Sequence, residues 1–272
     1  MVPRRLAPMM IGAVCGPSSV TVFAIATRLL SLVSTPVMST MGVRGPQATE
    51  LFAKNDERGL RELVLYSCRA TSVLTSGLVI ALVIFSPSVC DLWLGRTFPE
   101  LTPTLAILGF GLWFSLNQIV TRLTLVAAAE HRWLTYLGLT QAGLFLAIGS
   151  VAMTLQVPLF DELMGWALLL SALEAITQGV AVAIVSKRAI GTSGIALLGA
   201  TVSPLWRVMP AALLGLAIQR FWPIESGLEL LFAGSICGVV WLACCRSLLF
   251  PNFRPFEFMA SHFERRALRL AR

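Results

Sequence analysis

The chain has 272 residues, 56% of them hydrophobic and 13% charged, with a mean hydropathy of +0.79. Soluble domains carry about 25% charged residues, so a soluble fold of this size would lack the polar surface to cover so much apolar side chain. The net charge of +7 does not mark a nucleic-acid binder: 19 of the 21 basic residues are arginine, and they lie mostly between apolar runs rather than on one soluble face.

The N-terminal stretch "MVPRRLAPMMIGAVCG" supplies Arg4 and Arg5 and then an apolar segment about half the length needed to span a bilayer. Its layout imitates a signal peptide, but no A-x-A cleavage site follows. It reads instead as a truncated membrane helix, with "GPSS" as the turn into the next segment.

That segment, "VTVFAIATRLLSLVSTPVMSTM" from Val20 to Met41, is long enough to cross the membrane, yet contains Arg28 and Pro36. On a helical wheel Thr21, Ala24, Arg28, Ser31, Thr35, Ser39 and Gly42 fall within roughly an 80° sector. Arg28 therefore heads a stripe of small and hydroxyl side chains. Pro36 frees the carbonyl of Leu32, which neighbouring hydroxyls are expected to satisfy, and it is a candidate bend or gating element.

Further spans are expected near Ala70–Phe85, Leu101–Ala127, Trp133–Leu155, Met164–Val185, Val202–Ile218 and Gly227–Phe250, giving about seven transmembrane helices besides the truncated one. The connections alternate in charge. "GVRGPQATELFAKNDERGLRELV", "AEHRW", "SKR" with Arg207, and "ERRALRLAR" are basic, whereas "SPSVCDLWLGRTFPE", "QVPLFDELM" and "QRFWPIESGLE" are not. By the positive-inside rule the first set is cytoplasmic, and with it the C-terminus.

Two further spans carry polar groups. In Leu101–Ala127, Thr104, Gly111, Ser115, Gln118 and Arg122 line one face, and in Met164–Val185, Ser171, Glu174 and Gln178 recur at helical spacing. Arg28, Ser31, Thr35, Gln118, Arg122, Glu174 and Gln178 are therefore the substrate-cavity candidates. Other readings stay open at this point. Arg28 forms a structural pair with Glu174 or snorkels; Arg122 snorkels to the nearer interface; Glu174 is protonated in a dry contact. The six cysteines lack metal spacing and there are only two histidines, so no metal, cofactor or catalytic site is expected. The C-terminal "PFEFMASHFERRALRLAR" reads as a short basic amphipathic helix for an anionic membrane surface, or as a solvated basic tail.

"GPSSVTVFAIATRLLSLVSTPVMSTM" followed by "FAKNDERGLRELV" resembles polysaccharide flippases of the Wzx type, within the multidrug/oligosaccharidyl-lipid/polysaccharide (MOP) exporter superfamily. "LWLGRTFPELTPTLAILGF" and "AEHRW" are similar to later parts of that family, and Phe23 stands where the family often has tyrosine. The resemblance implies an all-α, MOP/MATE-like second lobe: residues 1–188 as lobe helices, 189–250 as two additional transmembrane helices, and 251–272 as the cytoplasmic tail. It implies a non-enzymatic transporter of the bacterial inner membrane that flips undecaprenyl-diphosphate-linked glycan. Its partners would be membrane lipids and a separate N-terminal half or other polysaccharide-assembly proteins. A cation-coupled drug exporter of the same superfamily and an inactive fragment or accessory subunit are the alternatives. A membrane polysaccharide polymerase or ligase is more remote, because the external connections are short and hold no histidine.

Overall fold

Backbone groups at membrane depth find no water to bond, so they must close onto themselves within helices. The computed structural model of the protein describes residues 2–249 apart from 96, 97, 192, 223 and 225, and all regular structure among them is helical. Six helical segments are long and apolar enough to cross a membrane, and a bent helix pair makes a seventh where it is counted as one span. The chain is a multi-pass helical membrane protein. The C-terminal stretch read as an amphipathic helix or a solvated tail lies outside the described residues.

The first helix, α1 (Val2–Val14), is short, as its apolar length predicts, but it packs inside the bundle, with Ala7 and Ile11 fully buried. The turn that follows is not "GPSS". It falls at Cys15 and Gly16, where Gly16 adopts φ +83°, a conformation open to glycine because it has no Cβ. Pro17 then occupies the first turn of α2 (Gly16–Gly42), where its missing N–H has no partner to lose.

Helix α2 runs unbroken through Pro36. The neighbouring hydroxyls do not satisfy the Leu32 carbonyl. They donate instead to the carbonyls of Arg28, Ser31, Thr35 and Pro36.

The basic connection after α2 is itself largely helical. After Val43 come α3 (Arg44–Ala53) and then α4 (Glu57–Leu94), whose start is capped by Asp56 accepting from the Gly59 N–H at 2.9 Å. At 38 residues, α4 is ~57 Å long, well beyond the ~30 Å hydrocarbon layer. Its first turns carry Arg58, Glu62 and other charges on exposed positions, so this end projects from the apolar layer.

The centre of the bundle is α5 (Leu101–Asn117) with α6 (Ile119–Ala127), packed against α2, α4 and α8 (Leu163–Glu174). Lipid tails are as apolar as leucine, so close backbone approach rather than water exclusion holds such contacts. At Gly111 a Cβ would lie 2.8 Å from the Ser171 Cα and 3.1 Å from a Glu174 carboxylate oxygen. Helix α7 (His131–Thr154) closes the bundle beside α1 and α8, with Phe145 against Trp166.

Helix α8 continues into a π-helical segment, Ala175–Ala181, and then α9 (Val182–Ile190). The last part of the chain packs on the flank of α4. A straight span at Val202–Ile218 is replaced by a bent pair, Gly194–Arg207 and Met209–Phe221, meeting at 43°. These contain α10 (Gly194–Val202) and α11 (Met209–Phe221), and α12 (Gly227–Leu249) follows. Ser72 donates to the Thr201 carbonyl, and the Trp241 indole lies directly on Gly77. Large apolar side chains such as Leu139, Ile148, Ile184, Leu228 and Phe232 stay exposed, as lipid-facing residues do.

Because the atom facing Gly111 is backbone, Gly111→Ala should lower stability by about 1–3 kcal/mol and Gly111→Val by more. Thermal unfolding of the purified protein in detergent measures this. An unchanged midpoint for Gly111→Val would contradict the α5–α8 contact.

Candidate functional site

The predicted polar residues divide between two places. The first is the outer face of α2. Thr21, Arg28, Thr35, Pro36 and Ser39 are exposed and Ser31 is half-buried, while Phe23, Ala26, Leu30, Val33 and Val37 on the opposite face are buried against the bundle.

The hydroxyls of this stripe are satisfied by their own helix. Thr21 donates to the Pro17 carbonyl at 3.0 Å, Ser31 to Arg28 at 2.6 Å, Thr35 to Ser31 at 2.8 Å and Ser39 to Thr35 at 3.0 Å. Arg28 has no such recourse. Among the described residues its guanidinium has neither a hydrogen bond nor an ion pair, and α2 itself carries no acidic side chain. It lies twelve residues into a 27-residue helix, or ~18 Å from its start, which is long for snorkelling. A bare guanidinium at that depth must face water, a ligand or another protein rather than lipid.

The second place is a partly open polar pocket between α1, α5–α6, α7 and α8 with the segment that follows it. Its volume is about 180 Å³, and its polar lining comes from Arg4, Ser115, Arg122, Gln141, Glu174 and Gln178. Here Glu174 finds its partner, which is not Arg28. Arg4 Nε donates to Glu174 Oε1 and Arg4 Nη2 to Oε2, both at 2.7 Å, a fork-to-fork pair with side chains 20% and 8% exposed. The open reading of an Arg28–Glu174 pair is thereby corrected, because the carboxylate is already engaged on both oxygens.

Arg122 points inward rather than to the nearer interface. Its Nη1 donates to Gln178 Oε1 at 3.0 Å and its Nη2 to the Ser115 carbonyl at 2.9 Å. The helix break at Gln118, where φ is −95° and ψ 10°, lets this side chain turn back on the preceding helix.

Gln118 does not join the pocket. It is buried, and its side-chain oxygen has no hydrogen-bond partner. The single face expected for Thr104, Gly111, Ser115, Gln118 and Arg122 is thus divided. Thr104 caps back on the Glu100 carbonyl, Gly111 meets α8, Ser115 and Arg122 enter the pocket, and Gln118 turns away.

Sequence reasoning missed Arg4 and Gln141 as pocket residues. Arg4 shares a helical face with Ala7 and Ile11, and that face signals burial. Gln141 is the one amide within the apolar run of α7, and its burial to 6% marks it as facing protein.

A set of residues able to hold a metal ion is not found among the described residues. Comparisons with known protein families, with curated proteins and with solved structures find no match for the chain. The molecule is a multi-pass membrane protein with a cationic, hydroxyl-lined outer face and a separate, internal charged pocket.

The Arg4–Glu174 pair has a measurable consequence. Arg4→Ala strands a buried carboxylate and should cost about 3–5 kcal/mol, whereas the double change Arg4→Met with Glu174→Met should cost far less. Thermal melts of the three proteins in matched detergent test this; equal losses in single and double variants would refute the pairing.

Proposed function

We propose that the chain is the second-lobe part of a transporter that moves polyprenyl-diphosphate-linked oligosaccharide across the membrane, the Arg28 face forming one wall of the path. The observation that carries this reading is the unpartnered guanidinium of Arg28 at membrane depth, on the one face of α2 that the bundle leaves open.

The diphosphate of such a substrate is the part most costly to move through a low-dielectric layer. A planar guanidinium matches its oxygens and offsets that cost. The hydroxyls of Ser31 and Thr35, while donating to their own helix, keep lone pairs that can accept from sugar hydroxyls passing the wall. Pockets for drug-sized ligands measure about 300–1,000 Å³, so the pocket of about 180 Å³ is small for this cargo, and this reading assigns the path to the Arg28 face rather than to Arg122, Glu174 and Gln178.

The opposite wall comes from a second membrane lobe, supplied by further chain or by a separate protein, and rocking of the two gives alternating access. In this reading the end of the bundle carrying α3 and the start of α4 is cytoplasmic. A cation-coupled drug exporter fits less well, since such cargo calls for a carboxylate and α2 has none.

In cells where the complete export system depends on this protein, Arg28→Ala should lower glycan export at least about tenfold, the loss of one charge-assisted hydrogen bond of ~1.5–3 kcal/mol. Arg28→Lys should retain part of it, and membrane insertion should be unaffected. Normal export by Arg28→Ala would remove the proposal. In a cysteine-free background, a cysteine at Asp161 should react with an impermeant reagent from outside, and one at Asn55 only after permeabilisation. The reverse pattern would invert the orientation.

A further inference from the structure

The internal pocket contains a charge that nothing in it balances. Arg4 and Glu174 neutralise each other through two hydrogen bonds of 2.7 Å. Arg122 is left with only neutral acceptors, the Gln178 side-chain oxygen at 3.0 Å and the Ser115 carbonyl at 2.9 Å. The described residues lining the pocket therefore sum to one positive charge: two arginines against one glutamate.

Donors outnumber acceptors there as well. Arg122 uses two of its five N–H groups on Gln178 and Ser115, and Gln178, having given its oxygen to Arg122, turns an unused NH₂ outward. Gln141, 6% exposed, lines the cavity and hydrogen-bonds to no other described residue. These groups meet deep in the bundle. Gln141 stands ten residues into α7, or ~15 Å, and Glu174 eleven residues into α8, or ~16 Å. Water can fill such a space and satisfy the N–H groups, but it carries no charge to neutralise the guanidinium, which an anion does.

We propose that this pocket binds one small monovalent anion of chloride size, held by the free N–H groups of Arg122 together with the amides of Gln141 and Gln178. The Glu174 carboxylate, secured by Arg4, forms the edge of the site and limits its affinity, because like charges so close repel. The cavity of about 180 Å³ takes such an ion with a few waters. The site is independent of the Arg28 face, because no α2 residue lines it.

Equilibrium binding of radiolabelled chloride to the purified full chain in nanodiscs tests the assignment. The wild type should bind saturably, with a stoichiometry near one, and bromide should displace the label. Arg122→Gln should weaken binding at least tenfold, and Gln141→Leu, which leaves every charge in place, by a smaller factor. Glu174→Gln should strengthen binding severalfold, a change of sign that mere structural damage would not produce, and chloride should raise its thermal midpoint more than that of wild type. Arg28→Gln should leave binding unchanged, so failure of the transport reading and failure of this one are separable. Absence of saturable binding by the wild type would overturn the site, as would wild-type affinity in both Arg122→Gln and Gln141→Leu. Should Glu174→Gln fail to fold, the Arg122 and Gln141 variants decide alone.

Discussion

The hydrocarbon layer offers no hydrogen-bond partners, and most hydroxyl and charged groups among the described residues are disposed as that constraint requires, with the buried Gln118 oxygen an exception. Serines and threonines fold back onto carbonyls three or four residues earlier, as at Thr27, Ser31, Thr35, Thr71 and Thr177. These groups are satisfied within one helix and need no neighbour. Glu174 cannot do this, because a carboxylate has no proton to donate, so its burial brings Arg4 and with it the whole of α1 into the bundle. The glycine opposite, Gly111, leaves the space that this carboxylate occupies. One acidic side chain thus fixes the docking of a helix too short to span the membrane alone.

The same constraint separates the remaining arginines. Arg122 turns inward because the helix break at Gln118 offers it the Ser115 carbonyl and the π-helical segment offers it Gln178. Arg28 stands on an unbroken α-helix whose carbonyls are already taken by their own N–H groups and by hydroxyls. A regular helix has nothing to give a guanidinium, so Arg28 must be met from outside the bundle. Helix regularity, more than sequence distance, determines which arginine is internal and which is open.

The membrane class was legible in composition and in the lengths of the apolar runs, since both follow from the thickness of the bilayer. The stripe on α2 was legible because that helix holds an undistorted 3.6-residue period from Thr21 to Ser39. The same wheel misled in Leu101–Ala127, where the break at Gln118 rotates Arg122 away from Gln118 and the single face divides. The Arg4–Glu174 pair was out of reach for a different reason. The two residues lie 170 positions apart, and periodicity within a helix carries no information about which helices become neighbours. The basic connection is helical on both sides of a short turn at Lys54 and Asn55, where Asn55 adopts φ 53°.

Glu174 and Gln178 lie four residues apart across the start of the π-helical segment, and they serve different arginines. A π-turn inserts one residue into the helical register and widens the backbone locally. Past Glu174, where the segment starts, the face that continues to look into the bundle carries Thr177 and Gly179 as fully packed positions, with Phe114 lying against Gly179. Gln178 is displaced to the edge of that face, half-buried, where its oxygen reaches Arg122 while Glu174 remains with Arg4. Arg4 engages both Glu174 oxygens and Arg122 takes neutral acceptors, so two arginines against one carboxylate leave a positive charge at the cavity.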